Sequence, residues 1–311
     1  MTRRITHPLG TGKGRASNIA AASRTGVAQW SPLALNNARP MGALETDVIA
    51  VRHWIIRLVV LACASPAIGQ DMMRHLDLSS PEMTAAEMTR AEIQSALAAQ
   101  PGSRADFTGK KLSNLDLSGL DLSSAVLRAA RLNKTKLIGA KLDGAILDQA
   151  WLLEADLSGA SLKGASMFAA QMQGARLDRA DLSGARIVAD LSRASLVGAS
   201  LVGANLAADM KNQSMGLMHA ILRSANLHGA NMARADLGRA DLEFASLEGA
   251  DLTGASLLGA SLAGADLSGT KFADADLAGA DFNAAKLVAP VGFEAAKNVD
   301  KVQNIERAFR Q

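Results

Sequence analysis

The stretch ADLTGASLLGASLAGADLSG, Ala250 to Gly269, repeats one five-residue unit four times: a small residue, Asp or Ser, Leu, a variable residue, Gly. The period restricts the fold. On an α-helix five residues turn through about 500°, so successive leucines walk round the cylinder and form no stripe. On a straight strand an odd period sends alternate leucines to opposite faces. Neither element buries them all. A chain that turns a corner every five residues does, if each short segment points its Leu, and the Ala two residues before it, toward a common axis. Glycine at the second place after Leu, as at Gly254 and Gly259, suits a corner that a side chain would crowd.

The unit extends far beyond this stretch. An apolar residue stands at every fifth position from Phe107 to Ile187, 17 times in succession, then at Leu191, Leu196, Leu201 and Leu206, then 14 times from Leu222 to Leu287. Repetition on this scale outranks local propensity as a guide to fold. Units such as ADLTG, ASLLG, ANLHG and ADLSG resemble the pentapeptide-repeat family, whose consensus is A(D/N)LXX, over roughly Asp106 to Leu287. The resemblance implies an all-β solenoid, a right-handed quadrilateral β-helix with four pentapeptides per coil and short helical caps at both ends. With about 4.8 Å between coils, some nine coils would make a rod about 43 Å long. Leu117, Leu157, Leu237, Leu257 and Leu277 are core positions in that arrangement. Residues 20 apart should stack, Asp116 with Lys136, Asp156 and Arg176, and Lys111 with Arg131, Trp151 and Gln171. The second ladder puts the Arg131 guanidinium beside the Trp151 indole.

Two slips interrupt the period. Ile187 to Leu191 is one residue short, Leu206 to Leu222 is 16 residues, and the two errors cancel. A bulge or loop is therefore expected near 207–221, within ADMKNQSMGLMHA (Ala208 to Ala220). Met210, Met215 and Met218 with His219 offer soft metal ligands, but packing of a distorted coil is the favoured reading, and no metal or cofactor is expected.

The ends differ from the repeats. Residues 1–50 have no periodicity and read as a disordered or untranslated leader. Residues 51–69 have the layout of a secretory signal peptide: Arg52 and Arg57, an apolar run from Leu58 to Ala64, and small residues at Ser65, Ala67 and Gly69. The run is too short to span a bilayer. That layout makes Val51, read from a GTG codon, the expected start, with cleavage after Ala67 or Gly69. An alternative is a lipobox at VLAC, with a lipid anchor on Cys63. Residues 70–104 form an expected N-terminal helical cap, with one helix from Ser79 to Gly102 started by Pro81 and stopped by Pro101-Gly102. Residues 290–311 form the C-terminal cap, helical after Asn298, where Val302, Ile305 and Phe309 cover the open core or meet a second copy. Phe309 separates a capped monomer from a C-terminal homodimer.

Composition limits the function. The chain of 311 residues has 7 Phe, 3 Trp, no Tyr, one Cys and a net charge of +3. One cysteine excludes an internal disulfide framework and multi-cysteine metal sites. Repeat Asp residues occupy consensus positions, the five His are scattered, and no nucleophile, base and acid can be grouped by spacing, so an enzyme is not expected. The charge gives no expectation of a nucleic-acid partner. Phe107 to Ile187 has 11 basic and 8 acidic residues, whereas Asp236 to Ala289 has 9 acidic and 3 basic. The expectation is a non-enzymatic interaction scaffold, exported to the periplasm or secreted, with an unknown protein partner. Candidate contacts are Trp151, Phe168, Lys211, Met215 and Phe244. The alternative, implied by the resemblance and by the acidic second half, is a cytoplasmic DNA mimic that binds a type II topoisomerase.

Overall fold

Parallel bridges join each short segment to the one 20 residues later: Asp106 to Val126, Lys111 to Arg131, Asp116 to Lys136 and Asp121 to Lys141. These four begin sides A, B, C and D of a square coil. The computed structural model describes residues 77, 79–99, 104–210 and 218–310, all in one compact unit, Asp71–Gln311. The signal-like segment with Cys63, the leader, Lys211 and Met215 lie outside the described residues.

Each side follows from the unit. The Leu N–H and the N–H two residues on donate to the coil above, as Leu117 does to the Lys136 carbonyl (2.7 Å) and Gly119 to Ile138 (2.9 Å). A tight turn then closes the corner, with Ala140 N–H on the Leu137 carbonyl at 3.0 Å and Gly139 left-handed at φ 62°. Leu and Ala point inward: Leu157, Leu237, Leu257 and Leu277 are fully buried, and Leu117 is 1% exposed. The residues before and after Leu point outward, so each side presents two columns along the rod. Consensus Asp or Asn has a local task, since its Oδ1 accepts the N–H two residues on, as in Asp116 with Ser118 (3.0 Å) and Asn231 with Ala233 (3.1 Å). In some units where Ser replaces Asp, a carboxylate from the coil below substitutes: Asp148 takes both the Ser166 hydroxyl (2.5 Å) and the Phe168 N–H (3.1 Å).

The ladders continue through the interruption. Gln171, Asp190, Ile221 and Asp241 are successive rungs of side B, and Arg186, Asn205 and Asp236 of side A. The short step is therefore side A of the fifth coil, and the long step is side A of the sixth.

At the N-terminal end the expected single helix is two, α1 (Pro81–Thr84) and α2 (Arg90–Ala99). Ala85 is extended, Ala86 bridges antiparallel to Leu112, and Glu87 N–H donates to the Lys111 carbonyl at 2.8 Å. The break pairs backbone of the first coil, which a continuous helix cannot do. A capping box restarts the helix: Thr89 N–H donates to Glu92 (2.7 Å), and Glu92 N–H to Thr89 Oγ1 (3.3 Å). Arg90 then donates to the Asp116 and Ser118 carbonyls, and Ile93 is buried in the core.

The C-terminal segment is more coil rather than a continuous helix. Bridges at Val291, Lys297, Gln303 and Phe309 continue the ladders at a period of six. The extra residue is taken up by short 3-10 turns, Phe293–Ala295, Val299–Lys301 and Ile305–Arg307, each preceded by a left-handed residue, Gly292, Asn298 or Asn304. Phe293 packs with Phe272 and Phe282 to plug the core, with Val299, Val302 and Ile305 against it. Phe309, expected to cover the core or a second copy, is 63% exposed within the chain.

Candidate interaction site on the interrupted side

Three sides of the rod keep five residues in every coil between Asp106 and Pro290; side A does not. Between Arg186 and Asp190 it is one residue short, and between Asn205 and Ile221 it carries eleven extra. The insertion grows out of a corner. Ala220 N–H still reaches the Leu206 carbonyl at 3.4 Å, as the Ala and Leu of other corners do, and Asp209 N–H closes a neck on the Met218 carbonyl at 2.8 Å. Arg186 ties the neck to the coils below, with Nη2 at 3.0 Å from Asp209 Oδ2 and its guanidinium carbon 4.4 Å from the Phe168 ring centroid.

Side A also carries an apolar column. Phe168, Val188, Ala207, Gly238, Leu258 and Ala278 follow Leu, or its equivalent, in consecutive coils. A Cβ on Gly238 would lie 3.5 Å from the Ala207 Cβ and 3.9 Å from the Leu258 carbonyl, so these residues are stacked. Val188 is buried in the short step, whereas Met210 and Leu258 are about half exposed. Beside the column, Arg186, Asn205, Asp209 and Asp236 line a shallow groove at the neck.

The structure does not gather the other candidate residues there. Trp151 is on side B, half-buried between Arg131 and Gln171, its ladder neighbours as the 20-residue period requires. Phe168, a candidate exposed contact, is half-buried under Arg186. Phe244 is exposed on side B, with its ring folded onto Gly264 of the next coil. Arg186 and Leu258 were missed because their roles depend on neighbours one coil away.

The charges are used largely within the ladders. Hydrogen bonds from Ser118 and Ser123 hold the Asp116 and Asp121 carboxyls below their ordinary range, and Asn298 does the same for Asp276. The acidic second half has no acidic side: Asp236 and Asp276 are on A, Asp241, Glu243 and Asp281 on B, Glu248 and Asp266 on C, and Asp251 and Asp274 on D. Arg223 engages Asp241 and Glu243, Lys271 Asp251, and Lys286 Asp266. Among the described residues no group of three or more His, Cys, Asp and Glu is placed to hold a metal, and no helix is long and apolar enough to cross a membrane.

A family model for pentapeptide repeats matches the chain in eight copies, over residues 103–137, 111–149, 145–184, 220–259 and 252–288. The chain belongs to the pentapeptide-repeat family. The unmatched gap, 185–219, coincides with the interruption of side A. Among solved structures, this pentapeptide-repeat protein is similar to HetL of the cyanobacterium Nostoc sp. strain PCC 7120, a pentapeptide repeat protein involved in heterocyst differentiation regulation. Identity is 29%, with 68% of this chain and 94% of HetL covered and a TM-score of 0.47. It is also similar to QnrB1, a plasmid-mediated fluoroquinolone resistance protein, at 19% identity over 63% and 84% of the two chains, TM-score 0.39. A pentapeptide repeat protein of the Arabidopsis thaliana thylakoid lumen shares 32% identity over 35% of this chain and 70% of its own, TM-score 0.19. No curated protein matches the chain.

Proposed function

We propose that this pentapeptide-repeat protein is a non-enzymatic scaffold that holds a protein partner on side A. The observation that carries this reading is the paired deletion and insertion, which fall on one side of adjacent coils and leave the other ladders in register. A rigid frame with one decorated side is how loops commonly carry binding function. The scaffold acts in the bacterial envelope. Support for that location is the signal-like sequence from Val51 to Gln70. Exposed Phe309 and Val291 at the C-terminal edge fit a homodimer contact.

Replacing Ala207–His219 by Ser-Gly restores a five-residue side. The variant should fold and lose the photo-crosslinks that a probe at position 258 forms in cells; unchanged crosslinks would reject side A as the binding side. A Val51-start fusion to a periplasm-dependent reporter should be active, and a silent reporter with soluble cytoplasmic protein would reject export.

The topoisomerase-binding alternative has the acidic second half in its favour. Against it, the carboxylates are divided among four sides and several are ion-paired. Purified protein should leave gyrase supercoiling unchanged at a large molar excess; inhibition would favour the alternative.

A further inference from the structure

Two arginines flank Leu258, an exposed apolar residue of side A. Arg234 and Arg239 occupy left-handed corner positions, φ 58° and 60°, at either end of side A in the seventh coil. Neither side chain stays on its own coil. Arg234 Cγ lies 3.5 Å from where a Cβ on Gly254 would sit, and Arg239 Cγ lies 3.6 Å from the equivalent point on Gly259. Both stems thus lean onto the eighth coil, over the glycines that bound its side A. Between them this side presents the Ser256 side chain and Leu258, which is 53% exposed.

The two cations are exposed and have no ion-pair partner among the described residues, unlike Arg223, Lys271 and Lys286 on other sides. The nearest side A carboxylates have other commitments. Asp236 Oδ1 accepts the Gly238 N–H at 3.0 Å, and Asp276 Oδ1 accepts from Ala278 N–H and Asn298 Nδ2. Asp274, on the corner above Gly254, is exposed. Next to Leu258 a shallow groove opens, lined by Arg239, Gly259, Ala278, Asp281 and Gln303.

We propose that side A of the eighth coil binds an extended peptide segment of the partner in which two acidic residues, four apart, bracket a large apolar residue. The apolar side chain sits on Leu258, and the carboxylates meet Arg234 and Arg239. In an extended chain the residues at i, i+2 and i+4 point to one face and span about 14 Å. Arginine forms bidentate pairs with carboxylates, so the two outer residues are specified by charge and the central one by burial. This assignment rests on the proposed scaffold function and names what the partner presents.

The test uses the full chain and a fluorescein-labelled peptide containing Glu-Ser-Leu-Ser-Glu, read by anisotropy. Saturable binding is expected, weakening as salt is raised. It should fall at least tenfold in Arg234→Gln/Arg239→Gln and in Leu258→Ser, and for peptides with Gln in place of Glu or Ser in place of Leu. Lys163→Gln/Arg179→Gln, on other sides, should bind like wild type. Unaltered melting curves establish that the variants are folded. Absence of saturable binding to about 1 mM, or equal binding by the arginine variant or the Gln peptide, overturns the proposal. If the Ser-Gly replacement removes the cellular crosslinks while the peptide fails to bind, side A remains the docking side and only the peptide class is rejected.

Discussion

Phe293 meets Phe272 edge-on, with ring centroids 5.4 Å apart and planes at 88°. This contact stops the core. Phe293 is 8% exposed, while Phe309, at the same end, stands outside at 63%. Phe293→Ala should destabilise the protein by about 3–5 kcal/mol, the usual range for a buried aromatic truncated to alanine. Phe309→Ala should change the stability of the monomer by no more than about 0.5 kcal/mol. Urea denaturation at low protein concentration measures both. Sedimentation at high concentration then reads the homodimer contact, which Phe309→Asp should disrupt.

Leu257 and Ser256 test the inward and outward assignment at adjacent positions. Leu257 is fully buried, so Leu257→Asp places a carboxylate in an apolar axis and should cost more than about 3 kcal/mol. Ser256→Asp should fall within about 0.5 kcal/mol of wild type, because an outward Asp before Leu is the consensus arrangement. Equal tolerance of the two would reject the assignment.

The repeats were legible because burial alternates within a five-residue unit, and every Leu and Ala in it reports the same axis. The two ends held signals of other periods. Gly292, Asn298 and Asn304 are six apart, each followed by Phe, Val or Ile and then an acid, a hexapeptide rhythm that a search for helical spacing passes over. Likewise Thr89-Arg90-Ala91-Glu92 is a capping box, which marks a second helix start inside what reads as one apolar pattern. The site was less legible. The slips located it, but Arg186 over Phe168 and Arg234 over Gly254 join residues about one coil apart through side-chain direction, which periodicity does not specify.

The repeat aspartates make stability depend on acid. Hydrogen bonds from Ser118 and Ser123 hold Asp116 and Asp121 below the ordinary carboxyl value, so the folded chain binds fewer protons there than the unfolded chain. Stability from these groups is then complete above the unfolded pKa, about 3.9, and is lost as pH falls through the lower folded values. Asp116→Asn/Asp121→Asn should keep stability at pH 7, since Asn205, Asn226 and Asn231 already accept the same bond elsewhere. Its melting temperature should fall less steeply than wild type below about pH 4. An identical slope would mean that other carboxylates dominate acid unfolding.

Gly249 and Gly264 separate backbone strain from side-chain contact. Both are left-handed, at φ 66° and 67°, but a Cβ on Gly249 would meet nothing within 4 Å. On Gly264, at φ 67°, it would lie 2.6 Å from two ring carbons of Phe244. Gly249→Ala therefore carries only the left-handed cost, about 1–2 kcal/mol. Gly264→Ala carries that cost and also displaces the ring. Phe244→Ala should be nearly silent alone, because the ring is 66% exposed, yet it should bring the cost of Gly264→Ala down to that of Gly249→Ala. A double-mutant cycle in urea measures the coupling. Zero coupling would mean that the ring does not rest on the glycine in solution, leaving Phe244 free to serve as a contact of its own.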